Sequence, residues 1–245
     1  MTKEELKNKL NHAETFLFPV HSCLCCGSEC DTFDGYRICS RCASKLQKID
    51  KNYCQKCGTY IKGDYALCIH CKDTERHFNK ARSVYVYDEN FAPIILKTKF
   101  GKAKTPSIAL GKMLADFFKT SDVIGEVVTF VPMPSSRQKQ RGFNQAEEIC
   151  REFSHLTEIP MIDALDKKET IIKQAKLNFD ERQHNIIDTF SIKDKNLVKD
   201  KYVLLIDDVI TTGATVSECA KVLCKAGAKQ VDVLSIAHTS LNFEN

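Results

Sequence analysis

Two sets of residues in this chain have the types and spacing for chemistry. The first lies in YVLLIDDVITTGATVSECA, from Tyr202 to Ala220. Two adjacent carboxylates, Asp207 and Asp208, follow a short apolar run. Val209 and Ile210 come next, then a turn of small residues, Thr211-Thr212-Gly213-Ala214-Thr215. Such a turn lets the backbone approach a phosphate closely. The N–H groups of the helix behind it then face the anion, with the helix dipole in favour. Threonine hydroxyls add donors. Paired carboxylates would repel a bare anion, so they suit another part of the same ligand, either sugar hydroxyls or a magnesium-bound water. A phosphorylated ribose offers both. A solvated strand end with an ordinary helix cap explains a lone Asp-Asp, but not the whole stretch.

The second set is four Cys-x-x-Cys pairs in close succession: Cys23/Cys26, Cys39/Cys42, Cys54/Cys57 and Cys68/Cys71. Each pair can bring two thiolates to one ion, and glycine follows two of them, at Gly27 and Gly58. Two successive pairs complete a tetrahedral Cys₄ site. The expectation is two structural zinc ions, one held by the first two pairs and one by the last two. Cys25 and Cys30 are left over as competitors at the first site, and the spacing of His70 suits a surface residue better than a ligand. Redox Cys-x-x-Cys chemistry would not need four pairs.

The elements that must position these residues follow from periodicity. Val203–Ile206 reads as a short buried strand ending at the acids. Behind the turn, Val216, Ala220, Leu223 and Cys224 recur at helical steps, and Gly227 is placed to end the helix. Val231–Ala237 completes a strand-helix-strand unit. Such units build parallel sheets with ligands at the strands' carboxyl ends. Ser83–Tyr87 alternates as a strand. Phe91–Leu96 begins a helix with Pro93 in its first turn. Residues 107–119 form an amphipathic helix with Ile108, Leu110, Met113, Leu114, Phe117 and Phe118 turned inward, and Val127–Val131 forms a further strand. Residues 1–18 read as a short amphipathic helix, and 72–82 as a charged linker. Residues 160–190 are polar, with the periodicity of a mobile hood rather than a core element.

Basic residues gather in two places. Lys97, Lys99, Lys102 and Lys104 follow one helix, and Arg137, Lys139 and Arg141 lie in a loop, SSRQKQRGFNQ, beyond a strand end. Guanidinium forks suit diphosphate oxygens, and Asn144 and Gln145 add donors at the next helix start. A solvated basic face is the competing reading of both clusters.

Composition narrows the class. A chain of 245 residues holds one α/β domain plus a small module. No apolar run approaches a membrane span, and the first residues are too mixed in charge for a secretory signal. The expected compartment is the cytoplasm, where most of the 13 cysteines would be metal ligands rather than disulfides. Eight thiolates and two zinc dications bring the formal charge of +4 down to about zero. Overall basicity therefore gives no argument for nucleic-acid binding, which would need a local patch.

Several motifs occur in one order: FP-x-x-x-C-x-C-C-G, two zinc-ribbon-like halves, LKTKFGKAK, RGFNQ, Q-x-x-L-x-x-x-x-R-x-x-N at Gln174, Leu177, Arg182 and Asn185, and LLIDDVITTGATVSECA. Together they resemble the ComF family, whose members take part in natural competence for DNA uptake. The resemblance covers nearly the whole chain. It implies an α/β fold: a type I phosphoribosyltransferase-like parallel sheet flanked by helices, with a small N-terminal double zinc-ribbon module. The expected division is a helix at 1–18, the ribbon module at 19–75 and the transferase-like domain at 80–245.

The resemblance also implies a site for 5-phosphoribosyl 1-diphosphate (PRPP), brought with Mg²⁺. Asp207 and Asp208 match the ribose contacts. Val209 and Thr211 to Thr215 match the 5′-phosphate loop, and Lys97, Lys99, Arg137 and Arg141 match the diphosphate or nucleic-acid contacts. Gln174, Arg182 and Asn185 fall in the hood. Two functions follow. One is a PRPP-binding transferase acting on a nucleobase-type acceptor, either within competence or in nucleotide metabolism and salvage with no DNA role. The other is a handler of single-stranded DNA. It would use the lysine and arginine patches with Phe100, Tyr85 and Tyr87 as stacking groups, beside DNA-translocation machinery such as a ComF-type helicase.

Overall fold

The computed structural model describes residues 22–30, 35–100, 104–169 and 189–240. The helix expected at 1–18 and the hood residues Gln174, Leu177, Arg182 and Asn185 lie outside them. In the cysteine-rich part, α1 (Ser40–Ala43) and α2 (Ile69–Asp73) each start directly after a metal-type cysteine. The rest runs β1 (Ala81–Tyr87), α3 (Ala92–Phe100), α4 (Thr105–Phe118), β2 (Val127–Phe130), α5 (Ser135–Arg141), α6 (Gln145–Thr157), β3 (Leu165–Lys167) and β4 (Phe190–Ile192). A 3₁₀ turn (Lys195–Leu197), β5 (Tyr202–Ile210), α7 (Ala214–Lys225) and β6 (Gln230–Thr239) follow.

The main sheet has the order β1-β6-β5-β2, with every pairing parallel. Val203 to Ile206 are completely buried, because alternate residues face two different cores. Leu204 and Ile206 meet Leu110, Leu114, Ile149 and Phe153 of α4 and α6. Val203 and Leu205 belong to a second core with Val216, Ala220 and Leu223 of α7, together with Leu165 and Phe190 of the antiparallel β3–β4 pair. A strand buried on both sides reads as a continuous apolar run, as this one does.

Several expectations are corrected. β5 does not stop at Ile206 but continues to Ile210, because β6 keeps pairing with it through Ile210↔His238. The acids therefore sit within the strand. SSRQKQR is not a loop but helix α5. The Glu169 carboxylate caps its first turn, accepting from the Ser136 N–H at 2.7 Å and from both serine hydroxyls. Cys224 and Ile108 face outward, so the inward stripes of α7 and α4 are narrower than expected. The described ends of the hood region pair as β3 and β4, which periodicity did not anticipate.

Strand β1 departs from the alternation expected of it, with buried residues throughout from Ala81 to Val86. The cysteine-rich module covers its free edge. Ala81 N–H donates to Lys56 O at 2.8 Å, Ile49 N–H to Val84 O at 2.9 Å and Val86 N–H to Gln47 O at 2.8 Å. The module thus satisfies backbone groups that an edge strand would otherwise expose. Tyr85 is consumed in the same contact, buried and stacked on Phe91 with ring centroids 5.3 Å apart, so it is no surface platform for a base. Gly58 makes the close approach possible. Its φ is +73° and a Cβ there would run into the Ala81 carbonyl. Gly58→Ala should cost about 2–3 kcal/mol, read from urea unfolding, with a wild-type level of stability counting against this docking.

Candidate functional site

The thiol sulfurs of Cys23, Cys26, Cys39 and Cys42 all lie within 4.8 Å of one another, and so do those of Cys54, Cys57, Cys68 and Cys71. Cys26 and Cys39 are 3.8 Å apart, and Cys57 and Cys68 are 3.7 Å apart. A zinc–sulfur length of about 2.3 Å in a tetrahedron puts sulfurs about 3.8 Å apart, so both sets fit the ion. The local backbone prepares them. Cys25 N–H and Cys39 N–H point at the Cys23 sulfur at 3.4 and 3.3 Å. The Ser28 hydroxyl draws the Cys26 thiol down to about 5, while burial pushes the Cys42 thiol up. Only a cation allows four thiolates so close together. Cys25 and Cys30 lie outside both sets, the Cys25 thiol instead meeting Asn90 O at 3.5 Å. His70 also stays outside.

The second site forms where the strands of the sheet end unequally. β2 pairs with β5 only as far as Phe130↔Ile206, whereas β6 accompanies β5 four residues further. Asp207 and Asp208 are therefore supported on one side and open on the other. There they line a cleft of about 170 Å³ with Lys99, Arg137, Arg141, Gln145 and Lys167. The Lys99 ammonium is 3.1 Å from an Asp208 oxygen. Asp208 N–H donates to Asp207 Oδ1 and Val209 N–H to Asp208 Oδ1, both at 2.8 Å, which fixes each carboxylate on its own backbone.

Burial sets the protonation of this cleft. Asp207 keeps some surface open, but its carboxyl is packed round by protein atoms. Desolvation first, and then the Asp208 charge, raise it well above the usual carboxylate range. Desolvation lowers Arg141, helped by neighbouring Arg137, and it lowers Lys167 as well. Asp207 is thus largely withdrawn from water, Lys99, Arg141 and Lys167 are partly withdrawn, and Arg137 stays exposed at the rim.

The expected residues divide as follows. Lys99, Arg137 and Arg141 share the cleft with the two acids. Lys97 does not line it, because its ammonium donates to Cys23 O at 2.9 Å and ties α3 to the first cysteine set. Asn144 is spent on structure. Its Nδ2 donates to Val131 O and its Oδ1 caps α6 through the Ala146 N–H. The Gln145 amide accepts from Arg141 at 3.1 Å, while its buried Nε2 has no partner among the described residues. The turn expected over Thr211 to Thr215 is shorter: Thr211 to Gly213 form the bend between β5 and α7, with Gly213 in the left-handed region at φ +75°, and Ala214 and Thr215 already open the helix. Thr239 Oγ1 donates to Thr211 O and steadies the bend. Lys167 was missed. It enters the cleft only because β3 pairs with β4, and no local pattern marks it.

A larger cavity of about 480 Å³ lies beside the first half of β1, lined by Tyr53, Arg82 and Asp122 among others. Its arginine is committed to Asp122 at 2.7 Å. Its chemistry is less concentrated than that of the smaller cleft.

Comparison with known proteins agrees with this architecture. A double zinc ribbon domain matches residues 13–73, and a phosphoribosyl transferase domain matches residues 139–239. Fold and site therefore define a protein with a double zinc ribbon joined to a phosphoribosyltransferase-type domain. Competence protein F of Haemophilus influenzae is 28% identical over 207 residues, covering 82% of this chain and 90% of its own. DNA utilization protein YhgH of Escherichia coli is 26% identical over 208 residues, with the same coverage. Competence protein ComFC of Bacillus subtilis is 27% identical over 198 residues, covering 78% of this chain and 79% of its own. The chain is thus similar to competence and DNA utilization proteins over about four fifths of its length. Among solved structures, glutamine PRPP amidotransferase from B. subtilis matches at 26% identity with a TM-score of 0.38, over 53% of this chain and 25% of that one. Among the described residues no helix is long and apolar enough to cross a membrane.

Two outcomes follow from this geometry. Native mass spectrometry should find two zinc ions per chain, and strong chelation should abolish the cooperative melt, since a Cys₄ zinc contributes on the order of 10 kcal/mol or more to folding. A metal-free chain with an intact melt would contradict this. The raised Asp207 value carries its own sign. The folded protein holds this proton more tightly than the unfolded chain, so stability falls as pH climbs from the ordinary carboxylate range through the raised value. Asp207→Asn should therefore gain melting temperature over wild type at pH 8 more than at pH 5, by roughly 2–4 °C per kcal/mol. Equal differences at the two pH values would remove the buried-acid assignment.

Proposed function

We propose that this protein serves competence-type DNA utilization through a PRPP site of phosphoribosyltransferase type. The observation that carries the reading is the adjacent acid pair at an open strand end, facing Lys99, Arg137, Arg141 and Lys167 across one small cleft. The 211–213 bend and the start of α7 follow directly. In this reading residues 19–75 form the zinc module and residues 80–245 the PRPP-binding unit. The names of the relatives, competence protein and DNA utilization protein, support the cellular setting.

The roles divide by chemistry. The bend and the first N–H groups of α7 receive the 5′-phosphate, because a helix start presents donors without intrahelical partners. Asp207 and Asp208 take the ribose hydroxyls. Arg137, Arg141, Lys99 and Lys167 face the diphosphate, and Arg141 is already oriented by Gln145. Mg²⁺ would come with the diphosphate and would neutralise part of its charge beside Asp207 and Asp208.

If an acceptor nitrogen attacks C1 of the ribose, the bond from C1 to the diphosphate breaks and the leaving group departs with the electron pair. Fixed cations placed where that charge develops favour the step, since they need no reorganisation. The acids hold the sugar as positive character grows on it. Retention of PRPP without transfer would use the same contacts.

Calorimetric titration of PRPP with Mg²⁺ tests the reading. Wild type should give a saturable heat, and an Asp207→Asn/Asp208→Asn variant should lose at least tenfold in affinity, as expected for charged hydrogen bonds removed together. Equal heats from both proteins would sink the site.

A further inference from the structure

The strap from the second cysteine set to the sheet carries an arginine with no assigned purpose. Residues 72–80 leave Cys71 and run to β1, and they are fastened along their length. His77 N–H donates to Ser217 Oγ in the first turn of α7 at 3.1 Å. Asn79 N–H donates to Val231 O at 2.8 Å, and its side chain to Asp232 at 2.9 Å. Phe78 is 1% exposed. The strap is thus held against the start of α7 before any ligand arrives.

Arg76 stands in this strap, 8% exposed. Its guanidinium lies against the phosphate-type bend, with Cζ and one terminal nitrogen 3.7 Å from where a Cβ on Gly213 would stand. Its Nε is buried without a hydrogen-bond partner, and among the described residues no acid pairs with it. Its neighbour His238 is buried too, and burial keeps that ring neutral near physiological pH, with its pKa down at about 4. Glu218, in the first half of α7, is engaged by Lys221 at 3.3 Å. A buried cation without a counter-charge is costly, and this one faces a helix start of 12 residues whose dipole also attracts anions. Both features call for the same missing partner.

We infer that Arg76 is a direct ligand of the phosphate monoester seated at the 211–213 bend and the start of α7, delivered there by the zinc module. This rests on the reading of the bend as a phosphate site and adds a residue outside the transferase-type domain. The second ribbon is also tied to the bend by a hydroxyl relay. Thr59 Oγ1 donates to Thr239 O at 3.0 Å, and Thr239 Oγ1 donates to Thr211 O at 3.1 Å. Phosphate affinity is therefore coupled to zinc occupancy of the Cys54, Cys57, Cys68 and Cys71 site.

The test uses the full chain with both zinc ions, titrated with inorganic phosphate and, separately, with PRPP and Mg²⁺. Wild type, Arg76→Met and Arg76→Lys are compared. Arg76→Met should weaken inorganic phosphate by roughly ten- to a hundredfold, the range for a charge-assisted contact, and Arg76→Lys by less. Without phosphate, Arg76→Met should keep its zinc and melt no lower than wild type, because it removes an uncompensated charge. Unchanged phosphate affinity in Arg76→Met, or a phosphate-free protein that melts far lower or sheds zinc, would overturn the assignment in favour of a structural role. Wild type that takes phosphate but not PRPP would refute the PRPP reading and leave Arg76 standing. PRPP bound equally by wild type and Arg76→Met would do the reverse, and wild type that binds neither would refute both.

Discussion

Unequal pairing along β5 is the constraint on which this structure turns. One neighbour, β2, releases the strand at Ile206, while the other, β6, holds it to Ile210. A strand end paired on both sides would bury the acids beyond use, and one freed on both sides would leave them in water with no fixed direction. Half-release keeps Asp207 and Asp208 rigid on backbone hydrogen bonds and open to a cleft. Everything basic in that cleft arrives from elements packed around this one edge: Lys99 from α3, Arg137 and Arg141 from α5, and Lys167 from β3.

The zinc module does more than fold itself. A chain segment this short, with four cysteine pairs and few large apolar residues, obtains its order from metal bonds rather than from a core. Once ordered, its backbone completes the edge of β1, and Gly58 allows contact without a side chain between them. The module and the sheet then share hydrogen bonds, and the strap between them is stretched across the start of α7. Two parts that differ in what holds them together thus meet at one bend.

Much of this was legible in the residues. The apolar run before Asp207, the small-residue turn behind it and the four cysteine pairs each imply a local structure whose geometry is set within a few residues. The zinc sets could be paired from spacing because a Cys-x-x-Cys knuckle is a local object. The long-range edges were not legible. Periodicity put the end of β5 at Ile206, since nothing in its own residues records how far β6 accompanies it. SSRQKQR looked like a loop because the cap of α5 comes from Glu169, far along the chain. Lys97 and Lys99 stand two apart in one helix, yet one turns to a cysteine carbonyl and the other to Asp208.

The amino-acid sequence alone therefore determined which groups this protein has to work with: eight thiols in knuckle spacing, two adjacent acids, a small-residue bend before a helix and a supply of arginine and lysine. Those follow from chain-local geometry, where a few dihedral angles decide the outcome. Tertiary structure alone decided which cations face the acids, how deeply Asp207 is buried and where the linker lays Arg76. Such relations depend on packing between segments distant in sequence, and the desolvation that tunes each charge exists only once those segments have closed around it.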